Sequence, residues 1–203
     1  MSVRIRFAEP AQDAPRILAV YAPYVERTAV TFETDVPDPA EFTARVAGIA
    51  KDFPYLLLEI DGVLAGYAYA HRQAERAAYR WNAELSVYLA EGFVHRGLGG
   101  PLYALLMRLL GMQGYVNLYA CVTSSNAGSI ALHERMGFVR VGEFPASGYK
   151  FGQWHGVTWL CRRRCEGAPG TLCPVDALNA AAVKEAIAQA ESEISARLSS
   201  EKP

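Results

Sequence analysis

The sequence has few of the features that would mark a membrane, secreted or metal-dependent protein. No apolar run approaches the roughly 20 residues that a membrane-spanning helix needs, and the N-terminus has no apolar signal-peptide core. Only four cysteines occur in 203 residues, and Cys161 and Cys165 do not have zinc-knuckle spacing. The formal net charge of −1 favours neither nucleic acid nor an anionic membrane as a partner. We therefore expect a cytoplasmic protein with free thiols and no metal.

A strand, a glycine-rich turn and a helix follow one another across residues 84–108. Residues 84–90 alternate and are rich in β-formers, whereas the leucines of 98–110 recur at helical spacing. Such a turn presents backbone N–H groups and the positive end of the helix dipole to one point, which favours a phosphate. A P-loop would need Gly-Lys-Ser/Thr, and a dinucleotide fingerprint would need a third glycine where Leu102 stands. Turn chemistry alone also fits an ordinary loop.

The rest of the chain predicts alternating strands and helices in the order β-α-α-β-β-β-α-β-α-β-β. This order is typical of an α/β fold with a mixed sheet. Asp13 and Asp38 are predicted helix N-caps, and Asp61-Gly62 predicts a hairpin turn. Outside residues 84–108, strands are predicted at 3–7, 55–60, 63–70, 115–122, 138–141 and 155–162, and a further helix at 127–136.

The composition changes after Arg164, which divides the chain into three parts. Residues 1–164 form the predicted domain, and residues 165–174, rich in Gly, Pro and Cys, form a linker. The remaining segment, 175–203, is predicted to be a C-terminal amphipathic helix and tail. Its thin apolar stripe fits packing on its own domain, packing on a partner helix, or a frayed tail.

Four segments of the chain form recognisable motifs in a fixed order. They are Thr-Phe-Glu at 31–33, Ala-Tyr-Arg-Trp-Asn-Ala-Glu-Leu-Ser-Val-Tyr-Leu at 78–89, Asn-Ala-Gly-Ser-Ile-Ala-Leu-His-Glu-Arg-Met-Gly-Phe at 126–138, and Gly-Tyr-Lys-Phe-Gly-Gln-Trp-His at 148–155. In these motifs the chain resembles the GNAT family of N-acetyltransferases, and more narrowly its phosphinothricin and methionine sulfone N-acetyltransferase group. The resemblance covers about residues 3–163. It implies a mixed, mostly antiparallel central sheet with splayed strands and flanking helices, here with a C-terminal helix added.

The resemblance also implies acetyl-CoA as cosubstrate and a homodimer. The family's glycine turn usually begins with Gln or Arg, whereas Val94 stands here, which puts a side-chain contact at that position in doubt. The pantetheine arm is expected along the splayed strand, the diphosphate on the turn, and the helix cap beside both. The expected cofactor-binding residues are Ser86, Val87, Tyr88, Val94, His95, Arg96, Gly97, Leu98, Gly99 and Asn126.

Acetyl transfer to an amine needs a base for the amine and a proton for the leaving thiolate. Glu84 is the candidate general base, acting through water, because a partly buried carboxylate at the start of the splayed strand is poised for this role. A salt bridge to a loop arginine is the alternative for Glu84. His133 is a weaker candidate as acid or cofactor contact, since a lone helical histidine is more often structural. Tyr88 is another candidate proton donor.

An amino-acid substrate would present a carboxylate, or a phosphinate beside it, that a guanidinium binds well. Arg76 and Arg80 precede Glu84 closely and are the candidates, although each also fits a solvated loop charge. Aromatic side chains would form the wall of an apolar slot. The candidate substrate residues are therefore Phe32, Arg76, Tyr79, Arg80, Trp154 and His155, the last two from this subunit or a neighbouring one.

The predicted function is that of an acyltransferase (EC 2.3.1 class), an N-acetyltransferase acting on the α-amine of a small amino-acid-like acid such as phosphinothricin or methionine sulfone or sulfoximine. Two alternatives remain at this point. The acceptor is another amine, either a polyamine or a protein N-terminus, although the arginines argue against a polyamine. Alternatively, the chain is a non-catalytic CoA-binding module whose C-terminal helix recruits a partner.

Overall fold

A computed structural model describes residues 1–200, so the last three residues of the predicted tail lie outside the described residues. Within these residues, seven strands and four helices follow one another in the predicted order, and the C-terminal helix comes after them. The elements are β1 (Val3–Phe7), α1 (Pro10–Arg27), α2 (Pro39–Asp52), β2 (Tyr55–Ile60), β3 (Val63–Arg72), β4 (Asn82–Leu89), α3 (Gly99–Gln113), β5 (Asn117–Thr123), α4 (Ala127–Arg135), β6 (Val139–Lys150), β7 (Gln153–Arg163) and α5 (Ala180–Ser200).

One seven-stranded sheet, in the order β1-β2-β3-β4-β5-β7-β6, runs through the whole fold. Every neighbouring pair is antiparallel except β4 and β5, which are parallel. These two strands pair only from Asn82–Asn117 to Glu84–Tyr119 and then separate. The predicted fold class, a mostly antiparallel mixed sheet with splayed strands and flanking helices, is confirmed.

Each face of the sheet has its own hydrophobic core. Helices α1 and α2 pack with the tyrosine-rich face of β2 and β3, around Ile17, Phe42 and Tyr67. Helix α3 is apolar on nearly every side, because it is enclosed by the sheet and by α4 and α5. The site lies where these two layers meet at the separated ends of β4 and β5.

Helix α5 packs back onto the domain, against α3 and the edge strand β1. Ile194 and Leu198 are buried in the α3 core. The Glu191 carboxylate accepts a hydrogen bond of 2.6 Å from the backbone N–H of Ile5 in β1. The Arg108 guanidinium in α3 donates to Gln189 at 2.8 Å.

The largest departures from the predicted element boundaries are in α1, β6 and α5. Helix α1 begins at Pro10, and Asp13 accepts a hydrogen bond from the backbone N–H of Glu9, which is the reverse half of a capping box. Strand β6 runs to Lys150 rather than ending near residue 141, because its whole length pairs with β7 across a bulge. Helix α5 begins at Ala180, after a short 3₁₀ turn near residue 175.

Candidate active site

The separation of β4 and β5 creates a cleft of about 60 Å³ in the middle of the sheet. A parallel pair that stops pairing leaves backbone N–H and C=O groups without ladder partners, which an extended ligand can use. The cleft therefore suits a narrow chain that contains amides. Its lining residues are Val30, Leu85, Ser86, Val87, Tyr88, Ala120, Cys121, Val122, Thr123, Asn126, Ser129 and His133.

The glycine turn lies at the end of β4 and has the geometry of an anion site. His95 and Gly97 both have left-handed backbone, with φ of 62° and 68°. Leu98 occupies the N-cap of α3, and its side chain supplies no capping hydrogen bond. The first N–H groups of α3 are thus not satisfied by the cap, which suits a bound phosphate. The residues present therefore fit the diphosphate of acetyl-CoA.

The other expected cofactor residues lie between the cleft and the turn. Ser86, Val87 and Tyr88 follow Glu84 along the part of β4 that has left β5, and all three line the cleft. Asn126 lies across the cleft, where its side-chain oxygen caps α4 by accepting from Ser129 N at 3.1 Å. The structure thus brings the strand and the helix cap to one cleft.

Glu84 occupies the last paired position of β4, at the vertex where the strands part. Its nearest basic group is His71 directly opposite on β3, with Nε2 3.9 Å from the carboxylate. Burial raises the pKa of Glu84 above its usual value, and the neighbouring His71 partly opposes this rise. The alternative partner from the arginine loop is not the one observed. A carboxylate whose pKa is raised is a stronger base than an ordinary carboxylate, which suits a general base beside a cleft.

Tyr88 belongs to a layer of aromatic rings under the cleft. Its ring stacks on Tyr67 at 5.3 Å and meets Tyr21 and Tyr24 edge-on at 5.3 and 5.1 Å. Burial raises the pKa of Tyr88 well above its usual value. Its phenol therefore keeps its proton at neutral pH, as a proton donor must.

His133 is buried under the cleft, and both of its ring nitrogens have partners. Nδ1 lies 2.7 Å from the carbonyl oxygen of Ser129, so this nitrogen carries the proton. Nε2 then accepts from the hydroxyl of Tyr103 at 2.9 Å. Burial lowers the pKa of His133, and the hydrogen bond to Ser129 partly opposes this. This arrangement suits a neutral histidine that shapes the cleft wall.

The loop between α1 and α2 borders the cleft. The Thr31 and Tyr21 hydroxyls lie 2.6 Å apart, and Thr123 of β5 donates to the carbonyl of Ala29. Phe32 lies directly over Gly148 of β6, where a β-carbon would overlap the ring. Its ring centroid is 6.2 Å from that of His155, so these two predicted substrate residues come together.

The other four predicted substrate residues lie elsewhere. The Arg80 guanidinium stacks on Trp81 at 4.3 Å, and both line a separate cleft with the linker residues 169–172. Arg76 and Tyr79 begin and end the exposed turn before Arg80. Trp154 is 63% exposed and packs edge-on against Tyr149.

Sequence reasoning missed a cluster of charged side chains, Glu33, Arg45 and Lys150. Tyr69 lies between this cluster and Glu84. Glu33 forms an ion pair with Arg45, and its second carboxylate oxygen is buried without a hydrogen-bond partner among the described residues. The Lys150 side chain is buried and donates to the carbonyl of Thr31 at 2.9 Å. Glu33 belongs to the Thr-Phe-Glu motif at 31–33, but the neighbouring residues in the sequence do not indicate that one of its carboxylate oxygens is buried.

Within residues 1–200, every helix is too short or too polar to span a bilayer. The same residues contain no group of three His, Cys, Asp or Glu side chains arranged to hold a metal ion. All four cysteines are free.

Comparison with known proteins identifies the family. The model of the acetyltransferase (GNAT) domain matches residues 5–159. A phosphinothricin N-acetyltransferase from Streptomyces viridochromogenes is 35% identical over 155 residues, which are 76% of this chain and 84% of that protein. An L-methionine sulfoximine/L-methionine sulfone acetyltransferase from Pseudomonas paraeruginosa is 34% identical over 162 residues, 79% of this chain and 94% of that protein.

A solved structure shows the same architecture. The structure of yncA from Salmonella typhimurium, with its cofactor acetyl-CoA, superimposes with a TM-score of 0.79 at 30% identity. The match covers 85% of this chain and 100% of that chain.

Proposed function

Because the chain belongs to the GNAT acetyltransferases, with acetyl-CoA as cosubstrate, we propose that it acetylates the α-amine of a small amino-acid-like acid. Phosphinothricin and methionine sulfone or sulfoximine are the acceptors that the names of the relatives indicate. The observation that carries the proposal is the partly buried Glu84 at the vertex of the splayed strands, on the same strand that leads into the glycine turn.

The turn and the open strand hold the cofactor in this proposal. The backbone N–H groups of residues 94–99 bind the diphosphate, since two left-handed residues direct successive amides to one side. Ser86 and Val87 pair with the pantetheine amides through their main chains. Asn126 and the neutral His133 form the opposite wall. Bound in this way, acetyl-CoA presents an activated acetyl carbon near Glu84.

Glu84 acts on the acceptor. It takes up, through a water molecule, the proton that the amine loses as its nitrogen bonds to the acetyl carbon. The carbon–sulfur bond then breaks, and the electron pair leaves with sulfur. Tyr88 is protonated at neutral pH and supplies the proton that the sulfur takes up. Solvent then returns a proton to the phenolate, and Glu84 releases to solvent the proton that it accepted. The products are an N-acetyl amino acid and CoA with a free thiol.

The acceptor is held beside Phe32 and the charged cluster. Lys150 places a buried positive charge near Glu33, which suits the carboxylate or phosphinate of the acceptor. The second carboxylate oxygen of Glu33 is buried without a hydrogen-bond partner among the described residues, which costs free energy. An N–H group of the bound substrate would satisfy this oxygen. Arg76 and Arg80 stay second candidates for the acidic group, on a loop that would have to move.

The hairpin of β6 and β7 supports a homodimer. Val139, Val141, Phe144, Phe151 and Trp154 are each more than half exposed on it, together with Tyr149. An apolar patch of this kind on an edge strand suits a self-complementary contact with a second copy. We therefore place the dimer contact on this hairpin and keep residues 1–164 as the catalytic domain.

The test is a panel of acceptors incubated with acetyl-CoA, with release of free thiol as the measurement. Phosphinothricin, methionine sulfone and methionine sulfoximine should release thiol, whereas spermidine and a peptide N-terminus should not. Thiol release with spermidine or the peptide alone would overturn the substrate class. An increase in melting temperature with acetyl-CoA, but no release with any amine, would overturn the enzymatic function itself.

A further inference from the structure

Helix α5 places an arginine against the glycine turn. A β-carbon built on Gly97 would lie 3.1 Å from the Arg197 Nη1 atom and 3.8 Å from its Cδ atom. The guanidinium therefore touches the backbone of the turn whose amides face the diphosphate in the proposed function. This contact comes from the far end of the chain, 100 positions from Gly97 in the sequence numbering.

The position of Arg197 is fixed by the packing around it. Ile194 and Leu198, on either side of it in the helix, are at most 2% exposed in the α3 core. Further back, the Glu191 carboxylate binds the backbone of β1. The helix therefore cannot rotate or slide without breaking these contacts.

The charge of Arg197 is suited to phosphate. A guanidinium stays protonated and binds phosphate oxygens with two parallel N–H groups. Its side chain is about half exposed, and Nη2 donates to Glu193 at 2.8 Å, which leaves the remaining N–H groups available to a ligand. Val94, which begins the turn, brings no charge of its own.

We propose that α5 forms part of the cofactor site, in which Arg197 binds the phosphates of acetyl-CoA at the Gly97 turn. The inference rests on the proposed function only for the place of the diphosphate. It assigns a binding role to the segment that follows the matched GNAT domain, residues 5–159. Glu193 competes with the phosphates for the guanidinium.

The test measures binding of CoA alone by calorimetry, so it needs no acceptor and no turnover. Arg197→Gln should raise the Kd for CoA on the order of tenfold, the loss expected for a hydrogen bond to a charged group. Arg197→Lys should recover part of the affinity. Lys184→Gln, which removes an exposed charge from the same helix, is the matched control and should leave the Kd unchanged.

Two further measurements separate phosphate binding from a structural role. S-acetylpantetheine lacks the phosphates, so Arg197→Gln should leave its KM as in the wild type. Glu193→Gln frees the guanidinium and should tighten CoA binding at low salt. An unchanged Kd for CoA in Arg197→Gln, an equal rise in its KM for acetyl-CoA and for S-acetylpantetheine, or weaker CoA binding in Glu193→Gln would each overturn the proposal. Tight CoA binding without any acetyl transfer would instead overturn the proposed function alone.

Discussion

Replacing Glu84 with glutamine should make the protein a far poorer enzyme and, at alkaline pH, a more stable one. The change keeps the size of the side chain and removes its charge. General-base catalysis contributes about 10²- to 10⁴-fold, so we expect kcat to fall on the order of 10³-fold, which is about 4 kcal/mol of activation free energy. The Kd for CoA should not change, because the turn lies beyond the other end of β4.

The effect on stability follows from the raised pKa of Glu84. A carboxyl whose pKa is higher in the folded than in the unfolded protein stabilises the fold fully at acid pH. That contribution is lost as pH rises through the folded pKa, since ionising the buried group then costs free energy. Glu84→Gln has no such loss, so its melting temperature should exceed that of the wild type at pH 8 and not at pH 4.

Thiol release measures the predicted effect on activity, and thermal melting across this pH range measures the predicted effect on stability. Wild-type activity should decline on the acid side at a pH above the usual carboxyl value of 4.5, and this decline should be absent in the residual activity of Glu84→Gln. Glu143→Gln, an exposed carboxylate on β6, serves as the control and should change neither property. Wild-type turnover in Glu84→Gln, or a lower melting temperature at pH 8, would refute Glu84 as a partly buried general base.

Three other changes test the surroundings of the site. Asp13→Asn should cost about 3 kcal/mol in urea denaturation at pH 7, because an arginine binds this carboxylate at 2.6 and 2.7 Å and lowers its pKa. The difference should begin to shrink below the usual carboxyl value of 3.8 and vanish as pH falls through the lowered pKa of the folded protein. A constant difference would contradict the ion pair. Gly148→Ala should push Phe32 aside and raise the KM for the acceptor about tenfold with CoA binding intact, whereas Gly142→Ala, with open space at its β-carbon, should change nothing. Trp154→Glu should yield a monomer in sedimentation with unaltered melting, and a dimer that persists would move the contact away from the hairpin.

The sequence predicted the order of elements and the glycine turn because both have local signals. Strand β6 was predicted too short because most of its length has no local signal. Its residues are almost all exposed and include Pro145 and a left-handed Ala146, so neither alternation nor β-propensity marks it. Pairing with β7 across a bulge makes it a strand. Such pairing is tertiary information.

The substrate side shows the same limit. Arg80 was favoured because it precedes Glu84 closely in sequence, yet stacking on Trp81 holds it against the linker. Lys150 and Glu33 meet from distant parts of the chain, and only the packing of the hairpin on the loop brings them together. Proximity in sequence indicates proximity in space along a helix or strand, but not across a loop whose direction is set elsewhere.

The hydrogen bond from Ile5 to Glu191 has a consequence for how copies of this chain meet. Strand β1 lies at one margin of the sheet and β6 at the other. At the β1 margin, a carboxylate already occupies a backbone donor that an added strand would need, and the charge repels incoming carbonyl groups. Lateral growth is thereby discouraged on one side. If copies join at the β6 margin, as proposed, the assembly would consequently stop at a closed pair and not extend into fibres.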